Sequence, residues 1–472
     1  MPQRRSRVAP SAAQTELAAA LAALRESLDA PAEFSAEVLT EAEAATAPAP
    51  ELDLRDIPFA TLDPKGSRDL DQAFRLERRG SGYTVRYAIA DIPGFVTPGG
   101  AVDAEARRRG QTLYAADGTI PLHPKVLSED RASLLPDVER PALVWTFALD
   151  EAGLVEDFRL ERALIRSRAR LDYVSTQAAL DRGEGGPAAL LPEIGALRIE
   201  QERLRGGASL NLPDEEVVRT SEGGYAIERR HPLPVEEWNA QLSLMTGMAA
   251  ASLMLDARIG ILRTMPQPDE KAFDAFRHQT EALGRPWRSG RYGDYLRELD
   301  RADPLTLPVL EAAAMLFRGA GYVAFDGTVP ASTEQAAIAA PYAHATAPLR
   351  RLVDRWSLEI CLAVSEGREV PGWTRESLAD IPGLMQESGQ RASKLDSQTV
   401  NCVEAALLTP LIGTTIDATV VEVRGENRAS VQIGEPAVTA SAPIPPGTAA
   451  GAIVRLRIVD TDITTGTVDF SL

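Results

Sequence analysis

Thr61-Leu62-Asp63-Pro64-Lys65-Gly66-Ser67-Arg68-Asp69-Leu70-Asp71-Gln72-Ala73-Phe74 sets three aspartates, Asp63, Asp69 and Asp71, within nine residues at the head of a strand pattern. Hard divalent cations take oxygen ligands, commonly one or two carboxylates with water and substrate phosphate completing the shell. A tight aspartate cluster is therefore a natural seat for Mg²⁺ and for metal-assisted hydrolysis. A solvated acidic loop is the plain alternative, and the next two segments weigh against it. Leu70–Arg78 and Tyr83–Asp91 read as two strands parted by Arg79-Gly80-Ser81-Gly82, with Tyr83, Val85, Tyr87 and Ile89 alternating with Thr84, Arg86 and Ala88. Such a hairpin turns at Gly80-Ser81. In that register Leu70 faces Asp91, which brings a fourth carboxylate to the strand end where Asp69 and Asp71 share a face. Four acids gathered there repel one another in the absence of a cation.

The order Asp-x5-Asp-x-Asp followed by Ala73 continues into a hairpin ending Ala90-Asp91-Ile92. Then come Arg109-Gly110-Gln111-Thr112-Leu113-Tyr114 and Ile120-Pro121-Leu122-His123-Pro124-Lys125-Val126-Leu127-Ser128. This series resembles the catalytic domain of the ribonuclease II and ribonuclease R (RNB) family. A second block, Tyr342-Ala343-His344-Ala345-Thr346-Ala347-Pro348-Leu349-Arg350-Arg351 with Asp354, is similar to the family's Y-x-H-x-T-S-P-I-R-R-Y-x-D. The resemblance runs from Leu52 to Leu408. It implies a metal-dependent hydrolytic 3′-to-5′ exoribonuclease, in which single-stranded RNA enters a narrow channel and is degraded processively to nucleoside 5′-monophosphates. Mg²⁺ is the implied cofactor, with Mn²⁺ as a substitute and no small organic cofactor.

Carried over residue by residue, the resemblance makes Asp63, Asp69 and Asp71 metal ligands, with Asp69, Asp71 and Arg350 in catalysis. Arg350 would steady charge on the scissile phosphate, as arginine clamps do. Tyr114 matches the tyrosine that stacks on the terminal base, and Tyr342, His344, Thr346 and Arg351 line the substrate path. One departure stands out. The family motif ends D-x-D-D-A, and here the last carboxylate is an amide, Gln72. Its carbonyl oxygen is still a ligand, but a neutral one holds a hard cation less tightly, and Asp91 is the residue placed to compensate. The alternative reading is therefore a catalytically weak or inactive RNA-binding or regulatory relative. The partner aromatic expected near Gly207–Leu212 is missing, since Ala208-Ser209-Leu210-Asn211-Leu212 is aliphatic and polar. Where the family has an acid after R-A-D, Arg391-Ala392-Ser393-Lys394-Leu395-Asp396 offers Asp396.

From the residues alone, Pro348 suits the first turn of a helix with Thr346 as its cap. Leu349, Leu352, Val353, Trp356 and Ile360 form the buried stripe and leave Arg350 on another face. An Arg350–Asp354 helix pair at i, i+4 is then the simpler use of that arginine. A lone tyrosine or histidine such as Tyr114 or His344 is more often structural than functional.

At 472 residues the chain calls for two or three domains. No apolar run approaches the roughly 20 residues of a membrane span, and the basic start lacks the apolar stretch of a signal peptide, so the expectation is no membrane and the cytoplasm. Cys361 and Cys402 have no metal-ligand spacing and read as buried hydrophobes. The net charge of -18 excludes an all-over basic coat, not a channel with local positive charge. Arg107-Arg108-Arg109, Arg162 with Arg166, Arg168 and Arg170, and Arg350-Arg351 are such local clusters. Only four of the fifty basic residues are lysines, a bias that phosphate recognition and a G- and C-rich genome explain equally well.

The expected architecture is an α+β multidomain chain, a monomer. Residues 1–50 form a short helical segment, Ser11–Leu28 and Ser35–Ala45, with a Thr46-Ala47-Pro48-Ala49-Pro50 linker. That leaves no room for the cold-shock barrels that usually precede the catalytic domain in this family. Residues 51–408 form the RNB-type domain of mixed sheet and helices. Its helical parts are Arg170–Gly207, broken at 183–187, then Val235–Leu262, Pro268–Leu283, Pro304–Phe317, Pro348–Val364 and Met385–Leu408. Residues 409–472 have the rhythm of a five-stranded OB-fold barrel. It holds four arginines against seven acids and one aromatic, Phe470, which points to a weakened RNA binder.

Overall fold

The hairpin read from the sequence forms in the computed structural model, which describes every residue except 1–3, 8–11, 30, 32, 117, 211, 213, 220–224, 301–302, 304 and 435–437. Ser11, Asn211, Pro304 and Glu435, all of them part of the sequence expectations, lie outside the described residues. Strands β1 (Phe59–Asp63), β2 (Gln72–Arg79) and β3 (Gly82–Ala90) lie side by side, and β2 pairs with β3 from Gln72↔Ile89 to Arg79↔Gly82. Gly80 has φ 60°, the left-handed backbone that a two-residue turn requires.

Strands β4 (Glu139–Leu149) and β5 (Val155–Asp172) continue the main sheet, which Leu52–Asp53 extends as a short edge parallel to β5. β4 pairs with β3 on one side and with the first part of β5 on the other. The last part of β5 runs parallel to β1, so the sheet closes on itself through one long strand. Its apolar side meets the helices around Trp145, Phe147, Leu242, Met245, Val353 and Trp356, all fully or almost fully buried.

Six helices frame the site and join it to the chain ends: α1 (Ala12–Ser27), α2 (Ala36–Ala44), α3 (Ala101–Arg109), α4 (Pro234–Ala257), α5 (Leu352–Ser365) and α6 (Ile381–Leu408). α1 lies along α6, and Leu17 and Leu21 enter the same apolar cluster as Cys402, Val403 and the C-terminal sheet. α2 places Glu41 at the start of α3, where its carboxylate accepts from the Ala101 N–H at 2.5 Å, a favourable use of an acid at a helix N-terminus. Both helices of the first fifty residues thus dock on the rest of the chain.

Two expectations about helices are corrected. The helix read over Val235–Leu262 ends at Ala257, where Arg258 turns left-handed at φ 56°. Ile259–Thr264 then forms strand β6, paired with β7 (Gly321–Asp326). Ile259 and Ile261 are β-branched, and sheet pairing overrides the helical period there. The helix read from Pro348 begins four residues later, at Leu352. Asp354 reaches back to accept from the Ala347 N–H at 2.6 Å, which holds the preceding turn open and leaves Arg350 outside the helix. In addition, Tyr225–Arg230 pairs with Arg4–Arg7 on one side and with Asp214–Arg219 on the other, in a small sheet that no periodicity in the sequence announces.

The C-terminal sheet comprises β8 (Thr415–Val423), β9 (Arg428–Ile433), β10 (Val438–Pro443), β11 (Ile453–Asp462) and β12 (Thr467–Ser471). All its pairings are antiparallel, in the order β10-β9-β8-β11-β12, and its two end strands touch, so it is nearly closed. Phe470 packs against its core instead of offering a stacking face. Cys361 and Cys402 are buried and unpaired.

The arginines of α3 are structural. Arg109 stacks on Phe34 at 3.8 Å and pairs with Glu105 at 2.7 Å, Arg108 pairs with Glu105 and Asp29, and Arg107 shares Asp103 with Arg355. Arg355 and Asp103 are each 1% exposed. Removing one partner strands a buried charge, at a cost of about 3–5 kcal/mol. Asp103→Ala is therefore expected to lose about that much stability in urea denaturation. A loss below about 1 kcal/mol would mean that water reaches Arg355.

Candidate active site

Asp63 ends β1, Gln72 begins β2, and Asp69 and Asp71 lie in the connection, so all four leave the sheet at one end. The Asp71 carbonyl accepts from the Ala90 N–H at 2.9 Å and extends the hairpin by one residue pair. Its side chain is almost wholly buried, the residue being only 3% exposed. One carboxylate oxygen accepts from the Leu349 N–H at 2.8 Å, and the other lies 3.7 Å from Arg350 Nε. The two sequence blocks thus meet at Asp71.

Burial drives all three acids away from ionisation. The Asp71 carboxyl is pushed well above the ordinary range by desolvation, against the opposing pull of Arg350 and the Leu349 N–H. Asp63 is pushed up to about 7, first by desolvation and then by the neighbouring charge of Asp69. Asp69 is raised by desolvation, with Glu129 adding to it. Neither Asp63 nor Asp69 has an ion-pair partner among the described residues.

Gln72 is held at both ends. Its Nε2 donates to the Thr346 carbonyl, and its Oε1 accepts from the Tyr87 hydroxyl at 3.2 Å. Tyr87 is in turn 2.8 Å from Ser243 Oγ on α4. A carboxylate in the same place would also accept from Tyr87, but it has no proton to give Thr346.

The donor set suits a hard divalent cation in type, since it is all oxygen and a bound cation would offset the cost of ionising it. Among the described residues, however, no three His, Cys, Asp or Glu side chains are gathered as a ready coordination set. What fits is an ion held by one or two of these carboxylates, with water and substrate phosphate completing its shell, the usual arrangement for Mg²⁺.

The other residues singled out from the sequence divide into three groups. The first is Tyr114, 53% exposed in the middle of the first strand of a short hairpin, Leu113–Ala115 with Gly118–Ile120. It lines an open cleft of about 270 Å³ with Arg68, Asp69, Thr112 and Leu349. The second is the buried set around Tyr342–Arg351. Tyr342 and His344 pack edge to face with ring centres 5.5 Å apart, and His344 Nδ1 lies 2.7 Å from the Tyr322 hydroxyl. Burial and the nearby Arg351 and Arg263 hold His344 neutral, far below the usual histidine range. Thr346 is buried and contributes its carbonyl. Arg351 is fixed to Asp354 by two hydrogen bonds, at 2.8 and 2.9 Å, so Asp354 is not the partner of Arg350.

The third group lies away from the cluster. Asp91 caps the short helix Ile92–Phe95 and forms an ion pair with Arg162 of β5 at 2.8 Å, so it does not join the other aspartates. The hairpin does carry it to the strand end opposite Leu70, but a neighbouring strand supplies the cation that neutralises it. Asp396 is exposed on α6 with no described contact to the cluster. Ala208, Leu210 and Leu212 pack with Phe276, Trp287 and Tyr292, so no stacking partner arises there. Sequence reasoning missed the supporting roles of Tyr87, Ser243 and Tyr322. Tyr87 was visible only as one member of an alternating strand, and the other two carry no local signal.

Residues 51–360 match the RNB domain, and residues 414–472 match the RNase II-type exonuclease C-terminal S1 domain. Ribonuclease R of Vibrio parahaemolyticus serotype O3:K6 is 27% identical over 346 residues, which is 68% of this chain and 40% of that protein. The chain spans about two fifths of the length of the curated ribonuclease R relatives it matches. Among solved structures, Mycoplasma genitalium RNase R in complex with ribose-methylated single-stranded RNA has the same fold, with a TM-score of 0.86 at 17% identity over 97% of this chain and 78% of that one. Yeast Ssd1, described as a pseudonuclease, superposes with a TM-score of 0.69 at 15% identity over 90% of this chain and 54% of that one.

Two outcomes are expected from this geometry. At pH 8 in EDTA, Gln72→Glu places an acceptor against the Thr346 carbonyl and is expected to lower the urea-unfolding free energy by about 1–3 kcal/mol. No loss would mean that the Gln72 bracket is unimportant. The Asp63 carboxyl titrates near 7 in the folded chain against 3.8 for an unperturbed aspartate. Between those values the folded state binds the extra proton, so its stability falls as pH rises. In EDTA the unfolding free energy is expected to decline between about pH 5 and about pH 7, by up to about 1.4 kcal/mol per pH unit from this group. Asp63→Asn reduces that slope, and an unchanged slope would place the perturbed carboxyl elsewhere.

Proposed function

The chain belongs to the RNB family, and from that premise we propose that it is a metal-dependent hydrolytic 3′-to-5′ exoribonuclease acting on single-stranded RNA. It would work processively and release nucleoside 5′-monophosphates. The observation that carries this reading is the meeting of Asp71 with Leu349 and Arg350 at the sheet end where Asp63 and Asp69 also lie. Buried acids with too little positive charge beside one half-free arginine suit a phosphodiester with its attendant cation.

Hydrolysis adds water across the P–O3′ bond: the water oxygen joins phosphorus, the 3′-oxygen leaves with a proton, and the new 3′ end repeats the cycle. Asp63, Asp69 and Asp71 are the residues that would hold Mg²⁺ or Mn²⁺, whose chemistry is to neutralise phosphate charge and make bound water a better nucleophile. Arg350, tied loosely to Asp71, is placed to turn toward a phosphate and stabilise its developing charge. The Leu349 N–H holds the Asp71 carboxylate in one orientation, so this group needs no reorganisation when substrate arrives. Tyr114 offers an exposed ring beside Asp69 on which a terminal base can stack, an interaction worth about 1–3 kcal/mol per base.

A second reading is favoured by Gln72. Both ends of its amide are engaged by protein, and a relative in fold, yeast Ssd1, is described as a pseudonuclease. In this reading the chain binds RNA without turnover.

Incubation of 5′-labelled single-stranded RNA with the full chain and Mg²⁺ separates the two. A ladder shortening from the 3′ end supports the enzyme, and intact RNA that is nevertheless retained on a filter supports the binder. Asp71→Asn keeps an oxygen for the Leu349 N–H while removing the charge. It is expected to slow trimming by at least about a hundredfold, of the order seen when one transition-state contact is lost, while RNA still binds. Wild-type turnover in that variant would sink the assignment of Asp71.

A further inference from the structure

Three arginines crowd the segment Tyr342–Arg351, and two of them are accounted for. Arg350 lies beside Asp71, and Arg351 is clamped by Asp354. The third, Arg263 on β6, has no carboxylate partner and no side-chain hydrogen bond among the described residues. Its guanidinium lies over the ring of Tyr322, its cross-strand partner, 4.7 Å from the ring centre. Tyr322 is fixed by His344 at 2.7 Å. The Arg263 N–H donates to the Tyr342 carbonyl at 2.8 Å, so the whole array is tied to the same segment that supplies Leu349 to Asp71.

A guanidinium over an aromatic ring is held there by cation–π attraction, which uses none of its N–H donors, and those donors bind phosphate oxygens in pairs. His344 beside it is neutral and aromatic, and supplies no negative charge that would satisfy the arginine. In a chain of net charge -18, a half-buried arginine without a counter-ion among the described residues, whose field reaches His344 together with those of Arg350 and Arg351, calls for an anion.

We propose that Arg263, stacked on Tyr322 and backed by His344, binds a second backbone phosphate of the RNA strand, one that is not cleaved. The inference rests on the exoribonuclease reading for the identity of the strand. It adds a subsite that grips substrate and leaves the chemical step alone. Arg263 is therefore a binding residue, and its loss is read in affinity, salt dependence and KM.

The test uses the full chain and two measurements. In the first, binding of fluorescent single-stranded RNA is titrated in EDTA at several KCl concentrations. In the second, kcat and KM for 3′ trimming are measured with Mg²⁺. Arg263→Gln is expected to weaken binding and raise KM by about tenfold, with kcat within about twofold. The slope of log affinity against log salt should fall by about 0.7, the value for one phosphate on a single strand. Arg263→Lys should keep most of the slope, since the charge remains. Tyr322→Phe keeps the stacking ring and frees His344, and should have a smaller effect than Arg263→Gln. If Arg263→Gln loses its circular-dichroism signal, Arg263→Met, which keeps an apolar stem over the ring, takes its place. Unchanged affinity and salt slope in a folded variant would overturn the subsite, as would a fall in kcat with KM and slope unchanged. If the wild type trims no RNA and Arg263→Gln still loses affinity and slope, the subsite stands and the exoribonuclease reading falls. If the wild type trims RNA and Arg263→Gln binds as tightly as before, the reverse holds.

Discussion

A carboxylate removed from water must find donors, and Asp71 finds one 278 residues away in the Leu349 N–H. Much of the architecture answers that need. The strand that begins just after Asp71 and the turn that precedes α5 have to be held against each other, and the Gln72 amide fastens the same two segments a second time through the Thr346 carbonyl. Asp354 then locks the turn from the far side, through the Ala347 N–H and Arg351. Breaking any one of these contacts leaves a buried polar group without a partner, which costs more than an ordinary hydrogen bond supplies. The site is therefore rigid where it touches protein. Its freedom is confined to groups that face solvent, chiefly Arg350 and Tyr114.

The distribution of charge explains how an acidic chain presents a phosphate-binding face. Most arginines that look like basic clusters in the sequence are engaged by other groups of the protein. Those of α3 hold Glu105, Asp103 and Phe34, Arg162 neutralises Asp91, and Arg168 and Arg170 reach backbone carbonyls. What counts for an anion is the remainder: a few arginines without full compensation, set against low-dielectric walls where their field is less screened. The same logic applies in reverse to Asp63 and Asp69, whose carboxyls have no ion-pair partner among the described residues and are pushed toward the neutral form.

The C-terminal barrel and α1 show that packing, not composition, decides what an element does. Phe470 could have been a free stacking platform, and it packs, half-buried, against the barrel core. α1 could have been a tether, and its leucines join α6 to that same core.

By itself the sequence determined the hairpin register around Gly80-Ser81, the grouping of Asp63, Asp69 and Asp71, the buried stripe of α5, the burial of both cysteines and the barrel at the end of the chain. All of these are set by local periodicity, turn chemistry or the spacing of residues in one segment. Family resemblance added the pairing of the two distant blocks, which no local pattern contains. Only the tertiary structure decided where Asp91 goes, because Arg162 competes for it across the sheet. The same is true of where α4 and α5 begin or end, since pairing of β6 with β7 and the reach of Asp354 override helical propensity. It also decided that Gln72 is a bracket, that Arg351 is occupied and that Arg263 is not. Whether a charged or amide side chain is free for a ligand depends on which partners surround it, and the fold draws those partners from three residues away, as Asp354 for Arg351, to 274 residues away, as Thr346 for Gln72.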